Sequence, residues 1–103
     1  MVRSNKAILI LSEKVRKDNE EKVLKAIAVL QSVADSNITP RNIRKTVKDT
    51  ITMLQDKSLS PGVRAANAIS LLDDVSQDPN MPSYSRVTIW SAVSTIESIR
   101  ENV

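Results

Sequence analysis

Arg41, Arg44, Lys45 and Lys48 are the residues of this sequence best spaced to do chemistry, and that chemistry is the capture of negative charge. Placed at 100° per helical residue, they fall within a wedge of about 100°. Such a stripe can follow a phosphate backbone or meet an anionic protein surface. No aromatic residue interleaves it, so stacking on nucleic-acid bases is unsupported. With Asp49 alongside, the same wedge also reads as an ordinary solvated helix face.

Three arginines recur at related positions. Arg44, Arg64 and Arg86 each follow a proline (Pro40, Pro61 or Pro82) by three or four residues. Each falls at the edge of an apolar stripe, where an arginine needs a carboxylate or helix-end carbonyls as partner. Asp35, Asp56, Asp73, Asp74, Asp78 and Glu97 are the acids available. Either the arginines bridge loops to helices, or they converge on one anion-binding pocket. The segment Ser76 to Pro82 offers Gln77, Asp78, Asn80 and Met81. It either holds two helices at a fixed angle or presents Met81 to a partner, since methionine adapts to irregular surfaces. A metal at Asp73, Asp74 and Asp78 is disfavoured, because adjacent helical residues point in different directions.

Other chemistry is excluded by composition. Cysteine and histidine are both absent from the 103 residues. That removes disulfides, thiolate metal sites, the commonest general base and the commonest metal ligand. The expectation is a protein without enzymatic activity, cofactor or metal. Net charge is +3, but residues 1–57 carry +5 and residues 58–103 carry −2, which concentrates any basic surface in the first half. No span approaches the roughly 20 apolar residues of a membrane helix. The run Ala7 to Leu11 is shorter than a signal-peptide core of about 7–15 residues and has no small-residue cleavage site after it. A cytoplasmic protein without membrane contact is expected.

The elements that position these residues are helices. One glycine and two aromatics argue against the many tight turns and large cores of an all-β fold. Pro40, Pro61 and Pro82 stand 21 residues apart, two of them after a hydroxyl residue in Thr39-Pro40 and Ser60-Pro61. A hydroxyl N-cap followed by proline at the first helical position is a strong start signal. Helices are therefore predicted to start near 40, 61 and 82. An earlier one is predicted near Asp18, where Asp18 and Glu21 have capping-box spacing. Their apolar faces read Val23, Ile27, Leu30, Ala34; then Ile43, Val47, Ile51, Leu54; then Ala65, Ala68, Ile69, Leu72, Val75; then Ile89, Val93, Ile96. Ala92 and Trp90 flank the last face, with Trp90 favoured as a core plug over a cation–π contact with Arg86.

Short linkers between these helices favour antiparallel neighbours. The predicted fold is all-α: a compact up-and-down four-helix bundle over residues 18–103. Residues 1–17 form either an arm or a short extra helix, with Ile8, Leu11 and Val15 on one face. The last helix carries small hydroxyls, Ser83, Ser91, Ser94, Thr95 and Ser98. They are either solvent-exposed or the close-approach face of a helix–helix contact across a dimer axis.

Three segments carry a family resemblance: Thr39-Pro40-Arg41-Asn42-Ile43-Arg44, Ser60 to Ile69 (SPGVRAANAI), and Ser76 to Pro82 (SQDPNMP). With Ile89-Trp90, they resemble a small archaeal family of uncharacterised proteins, over about residues 36–100. Lys45, Thr46 and Val47 stand where the family pattern has a second arginine and then alanines. The resemblance implies a four-helix bundle and no assigned activity. The residues themselves suggest a helical interaction module, as a homodimer or with another protein. Nucleic-acid binding through Arg41, Arg44, Lys45 and Lys48 is the alternative.

Overall fold

The computed structural model describes the backbone of residues 2–99 and the side chains of residues 7–99. Four helices follow in order: α1 (Val2–Ala34), α2 (Arg41–Leu54), α3 (Pro61–Ser76) and α4 (Ser83–Glu97). α1 packs against α2 and α4, α3 closes the other side against the same two, and α2 and α4 occupy diagonal corners without touching. The up-and-down four-helix bundle expected from the short linkers is the fold of the chain.

The three proline-marked starts are where the spacing places them, but their caps differ. At α3 the expected arrangement holds. Ser60 Oγ accepts the Val63 amide at 3.3 Å, and Pro61 occupies the first turn, where its missing N–H costs nothing. At α2 it does not hold. The cap position belongs to Pro40, and no side chain caps the helix. Thr39 has turned inward instead, 1% exposed, with Oγ1 3.0 Å from Ser85 Oγ in the core. Neither buried hydroxyl has lost its hydrogen bond to water without replacement, and the pair ties the start of α2 to α4.

Helix ends are turned without glycine. Asp56 Oδ1 accepts from the Ser58 amide and hydroxyl, and Asp78 Oδ1 accepts from the Asn80 amide. These carboxylates mimic a backbone turn two residues beyond the helix end. No described residue has positive φ.

α1 departs from expectation. Asp18 does not start a helix; it is an exposed residue in the middle of 33 helical ones. Nothing between Ala7 and Lys17 is a helix breaker, so a good start signal at Asp18 had no stop signal before it. The boundary expected between 17 and 18 therefore does not interrupt the helix. α2, α3 and α4, at 14 to 16 residues, cover only the second half of α1. The first half projects, giving an outline of 57 × 23 × 19 Å. On it Ile8, Leu9, Ile10 and Leu11 are all exposed.

The core is aliphatic, as the scarcity of aromatics requires. Val23, Ala26, Leu30 and Val33 from α1 meet Ile43, Val47 and Leu54, then Leu72, then Ile89, Ala92 and Ile96. Two residues are not where the sequence suggested. Met81 is 5% exposed and belongs to this core, so it anchors the α3–α4 connection rather than a partner. Trp90 is 57% exposed, not a core plug. The buried face of α4 runs through Ser85, Ile89, Ala92 and Ile96, which turns residue 90 outward.

Candidate functional site

The three related arginines do different things. Arg64, at the start of α3, is 2% exposed and fully engaged. Its Nε donates to the Leu59 carbonyl and its Nη1 to the Leu54 carbonyl, both at 2.9 Å. Nη2 and Nη1 also reach the two carboxylate oxygens of Glu20, at 2.7 and 3.3 Å. The fork-to-fork geometry is the one that best offsets the desolvation of both charges. Glu20 is not among the acids weighed from the sequence; it lies 44 positions from Arg64.

Hydrogen bonding from Arg64 holds the Glu20 carboxyl below its ordinary range, against the opposing effect of desolvation, with Lys57 at 3.3 Å assisting. A carboxyl whose pKa is lower folded than unfolded stabilises the fold above the unfolded value. That contribution is lost as pH falls through the folded value. Urea denaturation midpoints should therefore fall as pH drops below about 4.5, and Glu20→Gln should flatten that slope.

Arg86 repeats part of the device at the opposite end of the bundle. Its Nε donates to the Ser76 carbonyl at 3.2 Å and its Nη2 to the Asp78 carbonyl at 3.4 Å. In both cases the carbonyl of the last residue of the preceding helix, Leu54 or Ser76, receives the guanidinium. Asp78 is also held by Asn42 Nδ2 at 3.0 Å, so its part in the loop is structural, while Gln77 and Asn80 stay exposed. Arg64 and Arg86 are thus loop-to-helix bridges, set at opposite ends of α3.

Arg44 is the exception. It is half-buried, and its Nε is fully enclosed with no hydrogen-bond partner. An enclosed donor left unpaired costs about 1–3 kcal/mol. Around it, Arg41 and Lys48 are exposed and enter no ion pair among the described residues. Lys45 makes an exposed i,i+4 pair with Asp49 at 3.1 Å, which holds it only weakly. With Asn42, these residues line an open groove of about 1020 Å³.

The helix itself adds to this field. The first turn of α2 has no acidic residue. Its free N–H groups and the positive end of its dipole favour anions there, each favourable charge contributing about 0.3–1 kcal/mol. Arg41 and Arg44 therefore stand where cations are locally unfavourable. An incoming anion would satisfy the N–H groups and the dipole together, beside the exposed charges of Arg41 and Lys48.

No cluster of three acidic residues, histidines or cysteines able to hold a metal exists among the described residues. No described helix is long and apolar enough to cross a membrane.

A small helical bundle with a cationic helix start and no metal cluster among its described residues defines a class of fold rather than a reaction. The chain belongs to the uncharacterised protein family UPF0147, whose profile matches residues 10–99. It is 56% identical over 84 residues to a UPF0147 protein of Metallosphaera sedula, covering 82% of this chain and 94% of that one. It is 48% identical to a UPF0147 protein of Aeropyrum pernix, over 82% and 92% of the two chains. The crystal structure of MMP1188, a protein of unknown function, superposes with a TM-score of 0.75 at 36% identity, over 78% and 91%. The UPF0147 crystal structure from Thermoplasma acidophilum gives the same TM-score at 24% identity, over 82% and 99%, a likeness of fold alone.

Proposed function

We propose that this chain is a non-catalytic, cytoplasmic interaction module that receives an anionic partner on the first two turns of α2. The observation that carries the proposal is the open groove lined by Arg41, Asn42, Arg44, Lys45 and Lys48, where Arg41 and Lys48 are exposed and enter no ion pair among the described residues. Arg64 and Arg86, by contrast, are tied to helix-end carbonyls or to Glu20.

An acidic protein segment is the first reading of the partner, and a nucleic-acid backbone is the second. The second is compatible with a groove whose described lining residues include no acid. It is limited by the placement of Tyr84 and Trp90 on α4, the corner diagonal to α2, which leaves no base-stacking platform beside the cations. Binding to nucleic acid would then read phosphates and not sequence.

The test is fluorescence anisotropy with three probes: a glutamate-rich peptide, a 20-base-pair DNA duplex and a 20-nucleotide RNA. Each is titrated from low to high salt, with Arg41→Glu/Lys48→Glu beside the wild type. Binding should weaken at least tenfold in the double variant, with its helical circular dichroism unchanged. A duplex or RNA affinity falling with salt at a log–log slope of about −2 to −4 would identify the phosphate backbone. Tight peptide binding with a shallow slope would identify a protein partner. Failure of all three probes to bind below millimolar concentration would overturn the proposal.

A further inference from the structure

Two apolar surfaces of the molecule have no covering element. The α1 run Ile8 to Leu11 is apolar on every side of its helix, because four consecutive residues at 100° each encircle it. α4 is different, because it has a single outer face. Tyr84, Val87, Trp90, Ser91, Ser94 and Ser98 fall within about 120° of arc, opposite the buried residues Ser85, Ile89, Ala92 and Ile96. Tyr84 and Val87 are 63% exposed and Trp90 is 57% exposed. No charged residue interrupts this face, whereas an exposed helix usually carries Glu, Lys or Arg there.

We propose that α4 pairs with α4 of a second copy of this chain, antiparallel, about a two-fold axis near Ser91. Side-chain size is the first argument. The large residues occupy the first half of the face and the serines the second half. Reversal about residue 91 sets Tyr84 against the partner's Ser98, Val87 beside the partner's Ser94 and the partner's Thr95, and Trp90 beside the partner's Ser91. Each large group meets a small one, the alternation that lets facing layers interdigitate.

Charge is the second argument. The two charged residues of α4, Arg86 and Glu97, lie on the same flank of the helix. In an antiparallel two-fold pair each flank meets its own copy, so Arg86 faces the partner's Glu97, twice per dimer. Arg86 commits Nε and Nη2 to carbonyls, and its Nη1 has no acceptor among the described residues.

Area sets the strength. Tyr84 and Trp90 together offer on the order of 250 Å² per copy, at about 200 Å² for each buried aromatic. With Val87 and the serines added, the face stays below the roughly 800 Å² per partner of a standard interface. A face this small belongs with weak, transient associations and not with obligate dimers.

The absence of cysteine makes a direct test possible. Ser91→Cys places a thiol at the two-fold axis, and Ser70→Cys places one on the exposed surface of α3 as a control. At 50 µM, a short bis-maleimide should join the first variant into dimers at least tenfold faster than the second. Sedimentation of the wild type should show concentration-dependent dimerisation between about 1 and 100 µM. The emission of Trp90, the one tryptophan, should shift to shorter wavelength over the same range. Glu97→Lys should weaken the dimer at least fivefold. A wild type that stays monomeric at 100 µM would overturn the proposal. So would a dimer in which Ser91→Cys joins no faster than the control, because association would then use another surface or leave α4 for a different protein.

Discussion

Replacement of Arg64 by alanine is expected to cost about 3–5 kcal/mol of folding stability. The figure follows from what is left behind. Glu20 keeps its charge with only Lys57 beside it, and the carbonyls of Leu54 and Leu59 lose the donors that reach them inside the bundle. Each enclosed group stripped of its partner costs about 1–3 kcal/mol. For a chain of this size the loss corresponds to a fall in Tm on the order of 20 °C. Arg64→Lys should recover little, since an ammonium cannot meet two carboxylate oxygens and two carbonyls from one plane. Glu20→Gln should cost less than Arg64→Ala, because the Glu20 side chain is 30% exposed and water replaces the lost contact. Urea denaturation of the three variants at pH 7 decides the matter. A loss below 1 kcal/mol for Arg64→Ala would mean that water reaches the guanidinium site.

Leu30→Ala is expected to cost about 2–5 kcal/mol. Leu30 is fully buried on α1, the helix that packs against both α2 and α4. Truncation there opens a void that neighbouring helices cannot fill without shifting together. The cost should approach the upper limit if Val33, Ile43 and Ile89 keep their positions, and the lower if the bundle contracts. By contrast, Leu24→Ala nearly two turns earlier should be nearly neutral, since Leu24 is 66% exposed. Thermal melts of the pair test the burial pattern of α1 directly.

Much of this bundle was legible in the order of its residues. Pro40, Pro61 and Pro82 mark three helix starts because proline is tolerated at the beginning of a helix and excluded from its interior. The faces of α2 and α3 were legible because their apolar residues recur every three or four positions. α1 was misread because Asp18 and Glu21 imitate a cap, and nothing local distinguishes a cap from two exposed acids in mid-helix. On α4 the face of Ile89, Val93 and Ile96 was legible, but Trp90 was misplaced, because the buried side continues through the small residues Ser85 and Ala92 while Trp90 carries the stronger apolar signal. Hydrophobicity pointed inward where packing pointed outward. At the candidate site, the cationic wedge was visible from spacing. The orphaned Nε of Arg44 was not, since it depends on what α1 and α3 do not supply. Nor was Glu20, whose pairing with Arg64 joins residues 44 positions apart.

The diagonal placement of α2 and α4 has a consequence for any assembly of two copies. If the copies join through α4, each cationic socket is carried to the far side of its own bundle, and the two sockets point away from each other. Such an assembly is a connector and not a clamp. It can link two separate polyanions, or two distant stretches of one, but it cannot close both sockets on a single short segment. Long ligands would then be held by avidity, with the second contact made at an effective concentration set by the span between sockets, and short ligands would not. Weak pairing and weak anion capture, each reversible alone, would together retain a long chain and release its fragments.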